Sequence, residues 1–314
     1  MTATPQIPFY DPRLSRSPKS RCTVDIKNNV RRAKKSPFVI FGVLALVVGI
    51  VVINGFAGRA AKPVDGVAMP PPDVKGDTGV ERSAPRGKAT LPGANSLLES
   101  DVHLSAVTCE LPELGSTEPQ LRGFYTATLT CLDAAWQPAL AGAGSRFVKA
   151  GLEVASEAAN ACGEMPSEQE ATAFYCESDE SIYMPTKRLI NNMGLYRPAH
   201  LSVLAHEYGH HVQKLTGTLD AGSDLEQGSP GELQESRRVE LQANCFAGLF
   251  LEKAAGRGAI SADDAKAAVD DFRNTYGSDT HGTMDNQIRW AQIGFGADGP
   301  AACNTWNTSA QDVA

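Results

Sequence analysis

Between Leu201 and Leu215 the chain reads LSVLAHEYGHHVQKL, with His206 and His210 four residues apart and Glu207 between them. On a helix, residues i and i+4 share a face, so both imidazoles can point at one divalent cation. Glu207 is rotated by about 100° from His206 and stands beside such a cation rather than on it. A carboxylate placed there can take a proton from a water that zinc polarises. The spacing H-E-x-x-H therefore fits a two-legged metal clamp with its own base, the equipment of metal-assisted hydrolysis.

A catalytic zinc needs a third protein ligand and one open position. Glu240 in ESRRVELQANCFAG (235–248) is the nearest candidate, and it could complete a His2Glu set. Asn244 lies one turn later on the same face, where it can accept from the distal N–H of a ligating histidine. Taken alone, Glu240 reads like Glu235 and Glu252, as a wet position on an amphipathic helix. His281, in DTHGTMDNQIRW, competes as third ligand. Another role for it is stabilising oxyanion charge from a glycine-containing loop. His211 points off the metal face of its helix. His103 and His200 have no supporting context and read as ordinary loop or helix-start residues.

These residues need a scaffold. EPQLRGFYTATLTCLDAAWQPAL (118–140) has near-helical apolar spacing and predicts a helix ending about Trp136. GLEVASE reads as a strand, and TAFYCESDESIYMPT as a hairpin turning at Asp179-Glu180. The histidine segment predicts a helix with Pro198 in its first turn and Gly217 at its end. Its apolar stripe is Leu201, Leu204, Tyr208, Val212 and Leu215. Ser229-Pro230 opens the next helix. Ser261 caps another that ends at Gly277, and TMDNQIRWAQIGFG closes the set. The expected fold class is α+β, mainly helical with a small sheet, over residues 101–314.

Upstream of that unit the composition changes. Residues 1–35 hold nine Lys/Arg against Asp11 and Asp25, while the chain as a whole carries a net charge of -7. Residues 1–37 read as a disordered basic cytoplasmic tail. Ser36 to Gly58 contains no charged side chain. It can supply a transmembrane helix over 38–57, since about 20 apolar residues cross the hydrocarbon core. The preceding RRAKK predicts a cytoplasmic N-terminus. A signal peptide is the rival, but its leading segment would be too long. The basic head thus reads as an orientation signal, which removes nucleic acid as a partner. Residues 58–100 are rich in Pro and Gly and read as a stalk.

Six cysteines lie beyond the apolar segment: Cys109, Cys131, Cys162, Cys176, Cys245 and Cys303. An even number on the exported side favours disulfides, with Cys162 and Cys176 the best local pair. No C-x-x-C occurs, which argues against a thiolate zinc site.

The blocks AFYCESDESIYMPT (173–186), HEYGHHVQ (206–213), ELQANCFAG (240–248) and HGTMDNQIRWAQIGF (281–295) together resemble the neutral zinc metallopeptidase family. The likeness runs from about Cys131 to Trp306. It implies a bacterial, membrane-anchored protein with a zincin-like, gluzincin-type domain and one zinc per chain. It also implies His206, His210 and Glu240 as zinc ligands, Glu207 as base, and a Cys245–Cys303 bridge. Asn244 is a departure, because the family usually has Asp there, and the expected consequence is somewhat weaker zinc retention. The expectation is a single-pass cell-membrane protein whose extracytoplasmic domain hydrolyses peptide bonds of a peptide or protein substrate. The alternative is a non-catalytic envelope binding or assembly module with a structural zinc.

Overall fold

The computed structural model describes residues 92–156, 161–163, 165–168, 170–221, 229–272 and 279–314, together with the pair Ala68–Met69. The expected tail, the segment 38–57 and most of the stalk lie outside the described residues. Among the described residues no helix is long and apolar enough to cross a membrane.

The domain is mainly helical with a small sheet. Strands β1 (Ala68–Met69), β2 (Gly151–Glu153), β3 (Phe174–Cys176) and β4 (Ser181–Tyr183) pair in the order β1-β3-β4-β2. β3 and β4 form the expected antiparallel hairpin, with Tyr175 opposite Ile182, and Phe174 stacks on Tyr183. The turn residue Glu180 takes a φ of 53°, which the Asp179-Glu180 reversal requires. β2 joins β4 in parallel, with Leu152 opposite Ile182.

The helices are α1 (Ser96–Glu99), α2 (Glu118–Gly142), α3 (Thr186–Met193), α4 (Arg197–Leu215), α5 (Pro230–Ala254), α6 (Ala262–Asp271) and α7 (Met284–Phe295). Their starts follow capping chemistry. Ser229, Ser261 and Thr283 each accept a backbone N–H three residues on, and satisfy a donor the helix cannot. α2 outruns its expected end at Trp136 and continues through Pro138 to Gly142. Pro138 removes the hydrogen bond to the carbonyl of Ala134, but both residues are exposed, so water can serve that carbonyl. Ala139 and Leu140 are buried and keep the last turn docked. α6 ends at Asp271, and residues 273–278 of its expected extension are outside the described set.

α5 is the central helix, packed against α4, α6, α7 and the C-terminal 3-10 turns. Its crossing with α7 depends on two glycines. A Cβ on Gly248 would lie 2.0 Å from the Ala291 carbonyl oxygen, and one on Gly294 would lie 1.9 Å from that of Cys245. α4 is enclosed by α2, α5, α6 and the sheet. The expected single apolar stripe is therefore too narrow a description: every residue from Pro198 to Gln213 is buried. Gly217 ends this helix at a φ of 76°, with Thr218 N–H bonded back to the Gln213 carbonyl.

The packed residues also begin upstream of Asp101. Leu97 and Leu98 are buried, and Asn95 Nδ2 donates to Thr218 Oγ1 at 3.0 Å. Three disulfides, Cys109–Cys131, Cys162–Cys176 and Cys245–Cys303, tie loops to this frame.

Candidate metal centre

Burying all of α4 puts seven polar side chains, His200, Ser202, His206, Glu207, His210, His211 and Gln213, into the interior, and each needs a partner there. His200 and His211 solve this structurally. His200 Nε2–H donates to the Gly194 carbonyl at 3.0 Å, while Nδ1 accepts from the Tyr125 hydroxyl. Burial pushes its pKa down to about 4, so the ring is neutral. His200 is thus a core residue, not the ordinary helix-start residue its surroundings in sequence suggest. His211 Nε2–H donates to the Val148 carbonyl at 2.8 Å and Nδ1 accepts from Tyr175. It faces away from the other two histidines, as its place on the helix requires. His103 is exposed beside Asp101.

His206 and His210 converge instead. Their Nε2 atoms lie 3.1 Å apart, and each is 3.2 Å from Glu240 Oε2 on α5. All three residues are buried, and their ligand atoms lie within 4.8 Å of one another. A tetrahedral zinc with bonds of about 2.0–2.1 Å would set its ligand atoms about 3.4 Å apart, close to this spacing. The donor set, two imidazoles and a carboxylate, also suits zinc chemically. Glu240, ambiguous in sequence, is therefore an inward residue of α5.

The approach of the two helices explains why Glu240 reaches. Gly209 sits between the histidines, and a Cβ there would meet Ala243 Cα at 2.9 Å. Without that side chain, α4 and α5 close to contact at the level of the three ligand atoms.

Both rings are held from behind. His206 Nδ1–H donates to Asn244 Oδ1 at 2.7 Å, the contact expected from helical spacing. His210 Nδ1–H donates to Gln213 Oε1 at 2.9 Å. Gln213 escaped the sequence reading, although its position three residues past a ligand histidine on the same helix was a usable signal. Glu207 is fully buried one residue after His206. His281 enters from the loop before α7, with Nε2 3.6 Å from Glu240 Oε2 and Nδ1 2.9 Å from Thr280 Oγ1. Among the described residues the group of mutually close ligand atoms contains three residues, and His281 is outside it.

Electrostatically the cluster centres on Glu240. Burial alone would raise its pKa, but His210, His281 and the hydrogen bonds from His206 and His210 hold it well below the usual carboxylate range. Burial lowers His206, with Glu240 opposing only in part. For His210 burial acts the same way, yet Glu240 and then Glu207 outweigh it and raise the ring to about 9. The site therefore pairs an ionised carboxylate with a protonated His210, and a metal cation would take the place of that proton.

The model of one protein family, described as "Putative neutral zinc metallopeptidase", matches residues 105–306. The chain belongs to this family. The metallopeptidase match covers β2 to β4, α4, α5 and α7, and so every residue of the cluster. Among curated proteins, the "Uncharacterized protein Rv2575" of Mycobacterium tuberculosis is 30% identical over 213 residues, covering 58% of this chain and 70% of the relative. The "Uncharacterized protein YpfJ" of Escherichia coli K12 is 33% identical over 158 residues, covering 43% of this chain and 54% of that protein. The chain thus spans about half the length of the Escherichia coli relative. No solved structure matches it.

Proposed function

We propose that this domain is a zinc-dependent peptidase that hydrolyses peptide bonds, with a zincin-like arrangement of helix and sheet. The observation that carries the reading is the buried convergence of His206, His210 and Glu240 with Glu207 beside them. His206 and His210 present Nε2 lone pairs, because their Nδ1–H groups are held by Asn244 and Gln213. Glu240 supplies a carboxylate oxygen. Zinc held by these three supplies Lewis acidity for a scissile carbonyl and lowers the pKa of a water to about 7. Glu207 takes the proton of the attacking water and returns it to the leaving amine. His281 Nε2, on the Glu240 side of the cluster, is assigned as donor to the oxygen charge that builds on the attacked carbonyl.

A non-catalytic module with structural zinc is the second reading. Structural sites fill four positions with protein ligands, whereas three residues form the close group here. That difference favours the peptidase. The anchor at 38–57 and an extracytoplasmic domain complete the proposal, supported by three disulfides that suit an oxidising compartment.

The test uses full-length protein and an unfolded protein substrate, with and without chelator, next to Glu207→Gln. Wild type should cleave, stop on chelation and recover with zinc. Glu207→Gln should keep its zinc and lose about 10²–10⁴-fold in rate. If both proteins bind zinc and neither cleaves, the peptidase reading fails.

A further inference from the structure

The two ligand histidines are held in different ways. His206 rests on a single side chain, Asn244, whereas the partner of His210 belongs to a chain of buried amides. Gln213 Nε2 donates to the Val239 carbonyl at 2.8 Å and to Gln242 Oε1 at 3.0 Å. Gln242 Nε2 in turn donates to the Cys303 carbonyl at 3.0 Å. His210, Gln213 and Gln242 are all fully buried, so no water competes for these contacts.

The direction of this chain is forced. A backbone carbonyl can only accept, so Val239 and Cys303 each draw an amide NH2 towards themselves. Gln242 must then turn its oxygen to Gln213, and Gln213 must turn its oxygen to His210. A ring nitrogen facing an amide oxygen has to carry the hydrogen, and that nitrogen is Nδ1. The Nε2 lone pair is thereby committed to the side where Glu240 and His206 lie. Val239 immediately precedes Glu240, so the same stretch of α5 that supplies the third ligand also orients the second. Cys303 is fixed to that helix by its bridge to Cys245.

We propose that Gln213, backed by Gln242 and the Cys303 carbonyl, is a positioning residue that locks His210 in its metal-binding tautomer. This rests on the metal reading of His206, His210 and Glu240. It predicts unequal effects along the chain. Removing the Gln213 amide releases His210 outright, while removing that of Gln242 leaves Gln213 still oriented by Val239.

The experiment measures zinc affinity of the full-length protein by competition with a chromophoric chelator, for wild type, Gln213→Met and Gln242→Met. Methionine keeps the approximate volume and removes the hydrogen bonds. Gln213→Met should bind zinc about 10- to 100-fold more weakly, and Gln242→Met about threefold more weakly. In zinc-loaded wild type, NMR should show slowly exchanging, downfield Nδ1–H protons for both His206 and His210. Gln213→Met should lose the His210 signal and keep that of His206, an outcome that a general loss of packing does not produce. Wild type without zinc affinity overturns the metal reading and the relay with it. Zinc affinity of Gln213→Met within twofold of wild type, with the His210 signal intact, overturns the relay alone. Should that variant not fold, a rapidly exchanging His210 Nδ1–H in zinc-loaded wild type overturns it equally.

Discussion

Glu207 on α4 and Glu240 on α5 are both buried carboxylates, yet their surroundings differ. Glu240 is ringed by imidazoles and held ionised by them, which suits a ligand. Glu207 projects from the helix one residue past His206, which suits a base acting on what the ligands hold. Asn244 tunes this arrangement. A neutral amide oxygen accepts the His206 Nδ1–H at 2.7 Å, where a carboxylate would add a negative charge. Asn244→Asp should make the ring a stronger donor and tighten zinc by up to about tenfold in chelator competition. An unchanged or weakened affinity would show that the buried charge costs as much as it contributes. His206, Glu207 and His210 were legible from spacing, because a helix fixes which residues share a face. Glu240 and Asn244, on another helix, could be named from the sequence only as candidates, since a helical glutamate looks the same facing water or metal until its neighbours are known.

At the level of elements, the contact between α4 and α5 decides whether three ligand atoms meet. Gly209 makes that contact possible, with Ala243 where its side chain would be. Gly209→Ala should force the helices apart, destabilise the domain by about 1–3 kcal/mol in urea unfolding and weaken zinc binding at the same time. Loss of stability with zinc affinity intact would mean that the helices adjust without moving Glu240. α4 also carries a pH dependence unrelated to the metal. His200 is neutral in the fold, with a pKa near 4, against about 6.5 when unfolded. The unfolded chain binds the extra proton between those values, so stability falls as pH drops from about 6.5 to about 4 and is constant beyond either end. The full loss is on the order of 3 kcal/mol. His200→Gln can accept from Tyr125 and donate to Gly194 without titrating. Its stability should fall less than that of wild type across this window, and parallel curves would refute the assignment.

Across the whole molecule, the disulfides hold what the small sheet and short loops cannot. Cys245–Cys303 closes a segment with a sequence separation of 58 and keeps the C-terminal turns on α5. Replacing both cysteines with alanine should cost about 2–5 kcal/mol by denaturant unfolding. A loss well under 1 kcal/mol would indicate that packing around Arg238 and Thr305, whose hydroxyl donates to the Arg238 carbonyl, already holds that segment.

By itself the sequence determined the local features of this protein: helix starts at Ser229, Ser261 and Thr283, the reversal at Asp179-Glu180, and the H-E-x-x-H face. Each depends on residues within a few positions of one another. Only the tertiary structure decided that α4 is buried on every side, that His200 belongs to the core, and that Gln213 and Gln242 stand behind His210. These facts depend on which helices surround α4 and how closely Gly209 lets α5 approach, distances that no single segment encodes.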